Sequence, residues 1–167
     1  AATRAPKEAG ALNIEGLAAM PDGRLLLGFR NPIPHGKALL VPLENPAEMV
    51  RGTRARLGAP IKLDLRGNGI RDLAAWKDGY LILAGPYASE GAFALHYWRP
   101  EQGGLETLKG IDFGDLNPEA LLVYPDSRAG RVQLLSDDGT RKVGKCDCKA
   151  LPNERQRSFR SLILRWP

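Results

Sequence analysis

A five-residue phrase occurs three times along this chain, each time followed by a turn triplet and an apolar run. Ile14-Glu15-Gly16-Leu17-Ala18 precedes Pro21-Asp22-Gly23 and Arg24-Leu25-Leu26-Leu27-Gly28-Phe29. Ile70-Arg71-Asp72-Leu73-Ala74 precedes Lys77-Asp78-Gly79 and Tyr80-Leu81-Ile82-Leu83-Ala84-Gly85. Pro118-Glu119-Ala120-Leu121-Leu122 precedes Pro125-Asp126-Ser127 and, after a short insertion, Val132-Gln133-Leu134-Leu135. The phrases are offset by 70 − 14 = 56 and 118 − 70 = 48 residues, and the triplets repeat both offsets (77 − 21 and 125 − 77). A period near fifty residues, with several short strands in each unit, is the pattern of propeller blades, which bury their faces against one another. The expected fold is all-β: a β-propeller with about three four-stranded blades in this chain.

Residues 1–11 read as a linker or tail and 12–167 as the propeller segment, with blades at about 12–66, 67–114 and 115–167. In blade one, strands are expected at 13–18, 24–29, 38–43 and 61–65. The Asp22-Gly23 pair supplies the positive φ angles that a tight hairpin needs. The runs Leu25-Leu26-Leu27 and Leu39-Leu40-Val41 are apolar on both faces, which suits strands covered from both sides. Within the last connection, Asn45 as cap and Pro46 in first position predict one helical turn over 45–50. This insertion accounts for the 56 − 48 = 8 extra residues of the first offset.

Blade two repeats the plan at 70–76, 80–84, 92–98 and 105–110, with its last hairpin at Pro100-Glu101-Gln102-Gly103-Gly104. Blade three offers 119–124, 132–136 and, after a polar loop, 159–166, but no fourth strand. Natural propellers have about 4–8 blades, so three cannot close a ring. The chain is therefore expected to be the C-terminal part or half of a six-bladed ring, completed by a missing N-terminal half or by a second chain. Pairing of residues 1–12 with blade three as its outer strand is the other reading.

A formal charge of +5 and a pI near 9.4 raise the question of nucleic acid. The densest basic groups, Arg51, Arg54 and Arg56 and then Arg141, Lys142 and Lys145, fall in expected loops. No aromatic-interleaved basic strand is present, so a loosely anion-attracting surface is expected and no specific nucleic-acid partner. No apolar run approaches the roughly 20 residues of a membrane-crossing helix, so no membrane partner is expected. Cys146-Asp147-Cys148 is half a zinc knuckle with the wrong spacing and no second pair. It reads as free thiols in an exposed loop, with a strained ring of the kind oxidising compartments allow as the alternative. A periplasmic or secreted location is favoured slightly over a cytoplasmic one.

The string from Asn13-Ile14-Glu15-Gly16-Leu17-Ala18 to Gly28-Phe29-Arg30-Asn31-Pro32 resembles a bacterial β-propeller family of unknown function. So do Gly69-Ile70-Arg71-Asp72-Leu73-Ala74, Gly79-Tyr80-Leu81-Ile82-Leu83-Ala84-Gly85-Pro86 and Pro118-Glu119-Ala120-Leu121-Leu122-Val123-Tyr124-Pro125-Asp126. The resemblance covers most of 12–166 and looks like the C-terminal part of that family's domain. The Ile-Glu-Gly-Leu-Ala phrase by itself also resembles the first-strand motif of the esterase-like phytase group and, more distantly, gluconolactonase-type propellers. Those relatives imply a metal in the central channel and hydrolysis of an ester, phosphoester or lactone. Glu15 matches their acidic channel position, whereas the Asn and Asp partners of gluconolactonase-type sites have no identifiable counterpart.

In a propeller the innermost strand of each blade lines the axis. The repeat places Glu15, Arg71 and Glu119 at one such position and Gly16, Asp72 and Ala120 at the next. In one reading Arg71 bridges Glu15 and Glu119 and holds blades together. In the other, Glu15, Asp72 and Glu119 bind a divalent cation such as calcium through oxygen ligands, and Arg71 grips an anionic substrate. A second set lies at the ends of the second strands: Arg30-Asn31, Tyr87, and Ser136-Asp137-Asp138. Asp138-Gly139 reads as a hairpin turn, which leaves Asp137 to face a ligand. His35 sits in a Pro-flanked loop, and His96 is expected to pack inside the sheet of blade two. The sequence holds no Gly-x-Ser-x-Gly elbow, Cys/His pair or Gly-rich phosphate loop. The expected function is a binding or scaffold domain with a small-molecule or protein partner at the channel mouth. A metal-dependent hydrolase is the alternative.

Overall fold

Short apolar runs punctuated by Asp, Gly and Pro fold into antiparallel strands in the computed structural model of the chain, which describes residues 3–88, 91–124 and 130–165. The structure is all-β, with several antiparallel sheets. The chain divides into two compact units, Ala1–Lys109 and Gly110–Pro167.

The first unit holds two four-stranded sheets of one plan, in which each strand pairs with the next along the chain. The first sheet runs β1 (Asn13–Ala19), β2 (Leu25–Asn31), β3 (Ala38–Leu43) and β4 (Ile61–Leu63). The second runs β5 (Gly69–Trp76), β6 (Gly79–Gly85), β7 (Ala94–Arg99) and β8 (Gly104–Thr107). Gly23 takes the positive φ of the β1–β2 turn at 85°. In the β5–β6 turn that conformation falls on Lys77 (φ 52°), whose ammonium lies 4.4 Å from the Trp76 ring centroid.

The two sheets meet across a shared core of Ala18, Leu26, Leu40, Ile70, Leu73 and Ile82. Gly16 of β1 and Gly28 of β2 pair directly and leave a gap that the Ile70 side chain of β5 fills. A Cβ at Gly28 would stand 2.7 Å from Ile70 Cγ2, and one at Gly16 2.9 Å. The glycines are thus required by close packing.

The expected helical turn is α1 (Pro46–Met49), with Asn45 at its cap position. The Asn45 side chain makes no cap hydrogen bond. Its Oδ1 accepts from Arg56 N (2.7 Å) and its Nδ2 donates to Arg54 O (3.0 Å), closing the insertion on itself.

The second unit contains β9 (Pro118–Val123) and β10 (Arg131–Ser136). A two-residue hairpin, β11 (Lys142–Val143) with β12 (Cys146–Asp147), follows where the sequence reads as a polar loop. β13 (Ser161–Arg165) then adds to β10, giving a three-stranded sheet in the order β13-β10-β9. Leu121, Val132 and Leu134 bury one face of this sheet, while Leu122 and Ile163 on the other are 43% and 51% exposed. The expected Pro125-Asp126-Ser127 turn and the Trp166 end of the last strand lie outside the described residues.

Candidate binding site

The registers of the three larger sheets share one irregularity. In β1, Ile14 pairs with Phe29 and Gly16 with Gly28, which leaves Glu15 as an extra residue. In β5, Ile70 pairs with Ala84 and Asp72 with Leu83, which leaves Arg71. In β9, Pro118 pairs with Ser136 and Ala120 with Leu135, which leaves Glu119. A β-bulge re-aims the side chain it carries and recurs next to functional sites. Glu15, Arg71 and Glu119, equivalent by the offsets 56 and 48, are therefore also equivalent in backbone geometry, each within its own sheet.

In the first unit the bulged residues Glu15 and Arg71 come together with Arg30. Arg30 Nη1 donates to Glu15 Oε1 at 2.9 Å, and Arg71 Nε lies 3.5 Å from Glu15 Oε2. The Arg30 and Arg71 side chains are only 5% and 2% exposed, against 22% for Glu15. Asn13 Nδ2 adds a bond to Glu15 Oε1 at 3.0 Å. Arg30 also donates Nε to Pro86 O (3.1 Å) and Nη2 to Ala88 O (2.9 Å), and Arg71 Nη1 reaches Pro86 O at 3.4 Å. One carboxylate thus neutralises part of a doubly cationic, largely buried cluster, and the Pro86 and Ala88 carbonyls accept three further donors. Asn31, read with Arg30 as a ligand-binding residue, closes β2 as expected but is buried and donates to Pro6 O (3.2 Å) and Glu8 O (2.6 Å), which fixes residues 6–8. Asp72 lies one residue on in β5, and its Oδ1 accepts from Leu73 N at 2.8 Å. Among the described residues no group of three or more His, Cys, Asp and Glu side chains gathers with metal-holding geometry.

In the second unit a cavity of about 430 Å³ is walled by Glu119 and Ala120 of β9, Leu135 of β10, and Asp137, Cys148 and Phe159. Lys149, Arg157 and Ser158 also border it. Asp137 is exposed, and its Oδ1 accepts from Gly139 N at 2.9 Å. The turn duty read for Asp138 falls instead to Asp137. Asp138 is 3% exposed and receives Ser136 Oγ (3.0 Å), Arg160 N (2.7 Å), Arg160 Nε (2.9 Å) and Arg160 Nη2 (2.8 Å). The Arg160 guanidinium, helped by the Ser136 hydroxyl, holds the Asp138 carboxyl at about 2, below its ordinary 3.8. Both cysteines are free thiols, as read, but only Cys146 is exposed. Cys148 is 2% exposed, and its Sγ lies 3.3 Å from Ser158 O.

A wider groove of about 750 Å³ lies at the turn ends of the first unit, where Pro21, Asp22 and Arg24 face Lys77, Asp78 and Tyr80. Its outline was available from the repeat, since the two turn triplets share the offset that aligns the strands. His96 is buried in β7 with Nδ1 3.1 Å from Thr107 Oγ1, and burial pushes its pKa down, which keeps the ring neutral at pH 7. Phe159, expected to open the last strand, precedes β13 and lines the cavity, and no repeat or motif marks it, Lys149 or Arg157 as site residues.

Strands of two to eight residues paired antiparallel into several sheets define the class: an all-β domain. The chain belongs to the family described as protein of unknown function (DUF3616), whose model matches residues 3–107 and so falls within the first unit. Comparison with curated proteins and with solved structures finds no match.

Proposed function

We propose that the chain is a segment of a β-propeller serving as a binding domain, and that its second unit takes a small, largely apolar ligand in the cavity beside β9 and β10. The observation that carries this reading is the repeated bulge, which in the second unit sets Glu119 at the wall of that cavity beside Asp137. Ala120, Leu135 and Phe159 supply apolar walls, and the carboxylates and Lys149 at the rim supply orientation, the usual division of labour in a ligand pocket. The propeller reading draws on the two four-stranded sheets of one strand order and on the shared offsets, with blades at about 12–66, 67–114 and 115–167.

The hydrolase reading asks Glu15, Asp72 and Glu119 to serve as oxygen ligands of a divalent cation. Glu15 is already paired with Arg30 and Arg71, and two buried guanidinium groups beside the carboxylate oppose a cation there. Binding is therefore the better-supported function. Ligand-observed NMR of the chain against a panel of small aromatic and aliphatic amines and acids tests it. Binders are expected, and Leu135→Trp, which fills the cavity, should remove them. Binders that persist in the filled variant, or a panel without a hit, would overturn the reading.

A further inference from the structure

The outer strands of the first two sheets are protected in the usual way. β4 and β8 are three and four residues long, and they carry exposed Lys62 and Glu106. Short, charged edge strands discourage pairing with another chain. β13 is less protected, with its one charge, Arg165, at its last position. It is five residues long, reads Ser161-Leu162-Ile163-Leu164-Arg165, and pairs with β10 in unbroken register without a bulge. Among the described residues its other edge has no strand beside it.

The hydrogen bond from Ser136 N to Arg160 O (2.9 Å) fixes which peptide groups face which way. Antiparallel pairs alternate between bonded and non-bonded positions. The Arg160 C=O and the N–H and C=O groups of Leu162 and Leu164 therefore turn toward β10, with the Arg160 N–H going to Asp138 Oδ2 (2.7 Å), and Ser161, Ile163 and Arg165 turn theirs to the open edge.

We propose that β13 pairs antiparallel with β13 of a second copy of this chain, about a two-fold axis through Ile163. In that register Ile163 faces its own copy, Leu162 faces Leu164, and Ser161 faces Arg165. Every outward peptide group gains a partner, apolar side chains meet apolar ones, and no like charges are opposed. A strand whose pattern is complementary to its own reverse is what an isologous contact requires. Leu122, Gln133 and Ile163 share one row across the sheet. The pairing would join the exposed Leu122 and Ile163 of both copies on one face of a doubled sheet, which gives these exposed side chains a role.

Sedimentation equilibrium over a wide concentration range should show the 18.2 kDa mass doubling as concentration rises. Ile163→Lys sets two ammonium groups against each other at the axis, and should weaken the dimer at least tenfold while leaving the far-UV spectrum unchanged. Register is tested by oxidation. Directly bonded antiparallel residues have Cα atoms about 5.5 Å apart, within reach of a disulfide. Ile163→Cys should cross-link through position 163, located by peptide mapping, whereas Ser161→Cys faces Arg165 and should not cross-link at 161. A mass that stays at 18.2 kDa throughout, a dimer indifferent to Ile163→Lys, or equal cross-linking at 161 and 163 would each overturn the proposal.

Discussion

In β6, Leu81, Ile82, Leu83 and Ala84 are all fully buried, whereas in β10 burial alternates, with Val132, Leu134 and Ser136 inside and Arg131, Gln133 and Leu135 half-buried. Both strands follow the same repeat phrase and pair with a bulged first strand. The difference lies in the residues between the shared signals. β6 is apolar without interruption, and β10 places Gln133 where β6 has another aliphatic side chain. Continuous apolar runs suit strands covered on both faces, and alternation suits sheets covered on one. The repeat thus sets pairing and bulge, while the intervening side chains set how much of each sheet is covered.

The contrast is most sharply tested at Leu83. Leu83→Ala removes a fully buried side chain and should destabilise the fold by about 3 kcal/mol, read by chemical denaturation. A loss below about 1 kcal/mol would break the view that the second sheet is covered on both faces. Arg30→Ala comes next. It strips Glu15 and the Pro86 and Ala88 carbonyls of their donor, at a cost of about 2 kcal/mol once the partial exposure of Glu15 is allowed for.

Asp138→Asn probes the second unit through pH. A carboxyl held at about 2 in the fold contributes stability above its unfolded value of 3.8, and that contribution is lost as pH falls from about 4 through 2. The wild-type chain should therefore lose about 1–2 kcal/mol over that window, and the Asn variant should show a flatter acid limb from a lower starting stability. Leu122→Ala should do least. The side chain is 43% exposed, and removing it should change stability by less than about 1 kcal/mol in the monomer. A cost equal to that of Leu83→Ala would erase the distinction between the two sheets.

Much of the first unit was legible because its signals are local. Apolar runs and Asp-Gly turns located its eight strands to within two residues, apart from β8, whose end was expected three residues too late, and the offsets alone matched Glu15 with Arg71 and Glu119. What escaped is long-range. Arg30 donates to the carbonyl of Pro86, 56 residues away, and nothing near Arg30 in sequence announces it. Asp138-Gly139 carries the dipeptide of a turn, yet Arg160, 22 residues on, claims the carboxylate for the interior. The cavity wall at Phe159 and Cys148 likewise depends on a segment that no repeat governs.

The glycine pair beneath Ile70 has a consequence for how the first unit tolerates change. Gly16, Gly28 and Ile70 occupy one shared volume, so each position's permitted residues depend on the other two. Gly28→Ala alone forces a Cβ against Ile70 Cγ2, and Ile70→Ala alone opens a void. Together, the methyl added at position 28 takes up part of the space vacated at position 70, and their costs should fall short of additive. Two strands that are distant in sequence are thereby joined as one unit of inheritance, able to drift only in step.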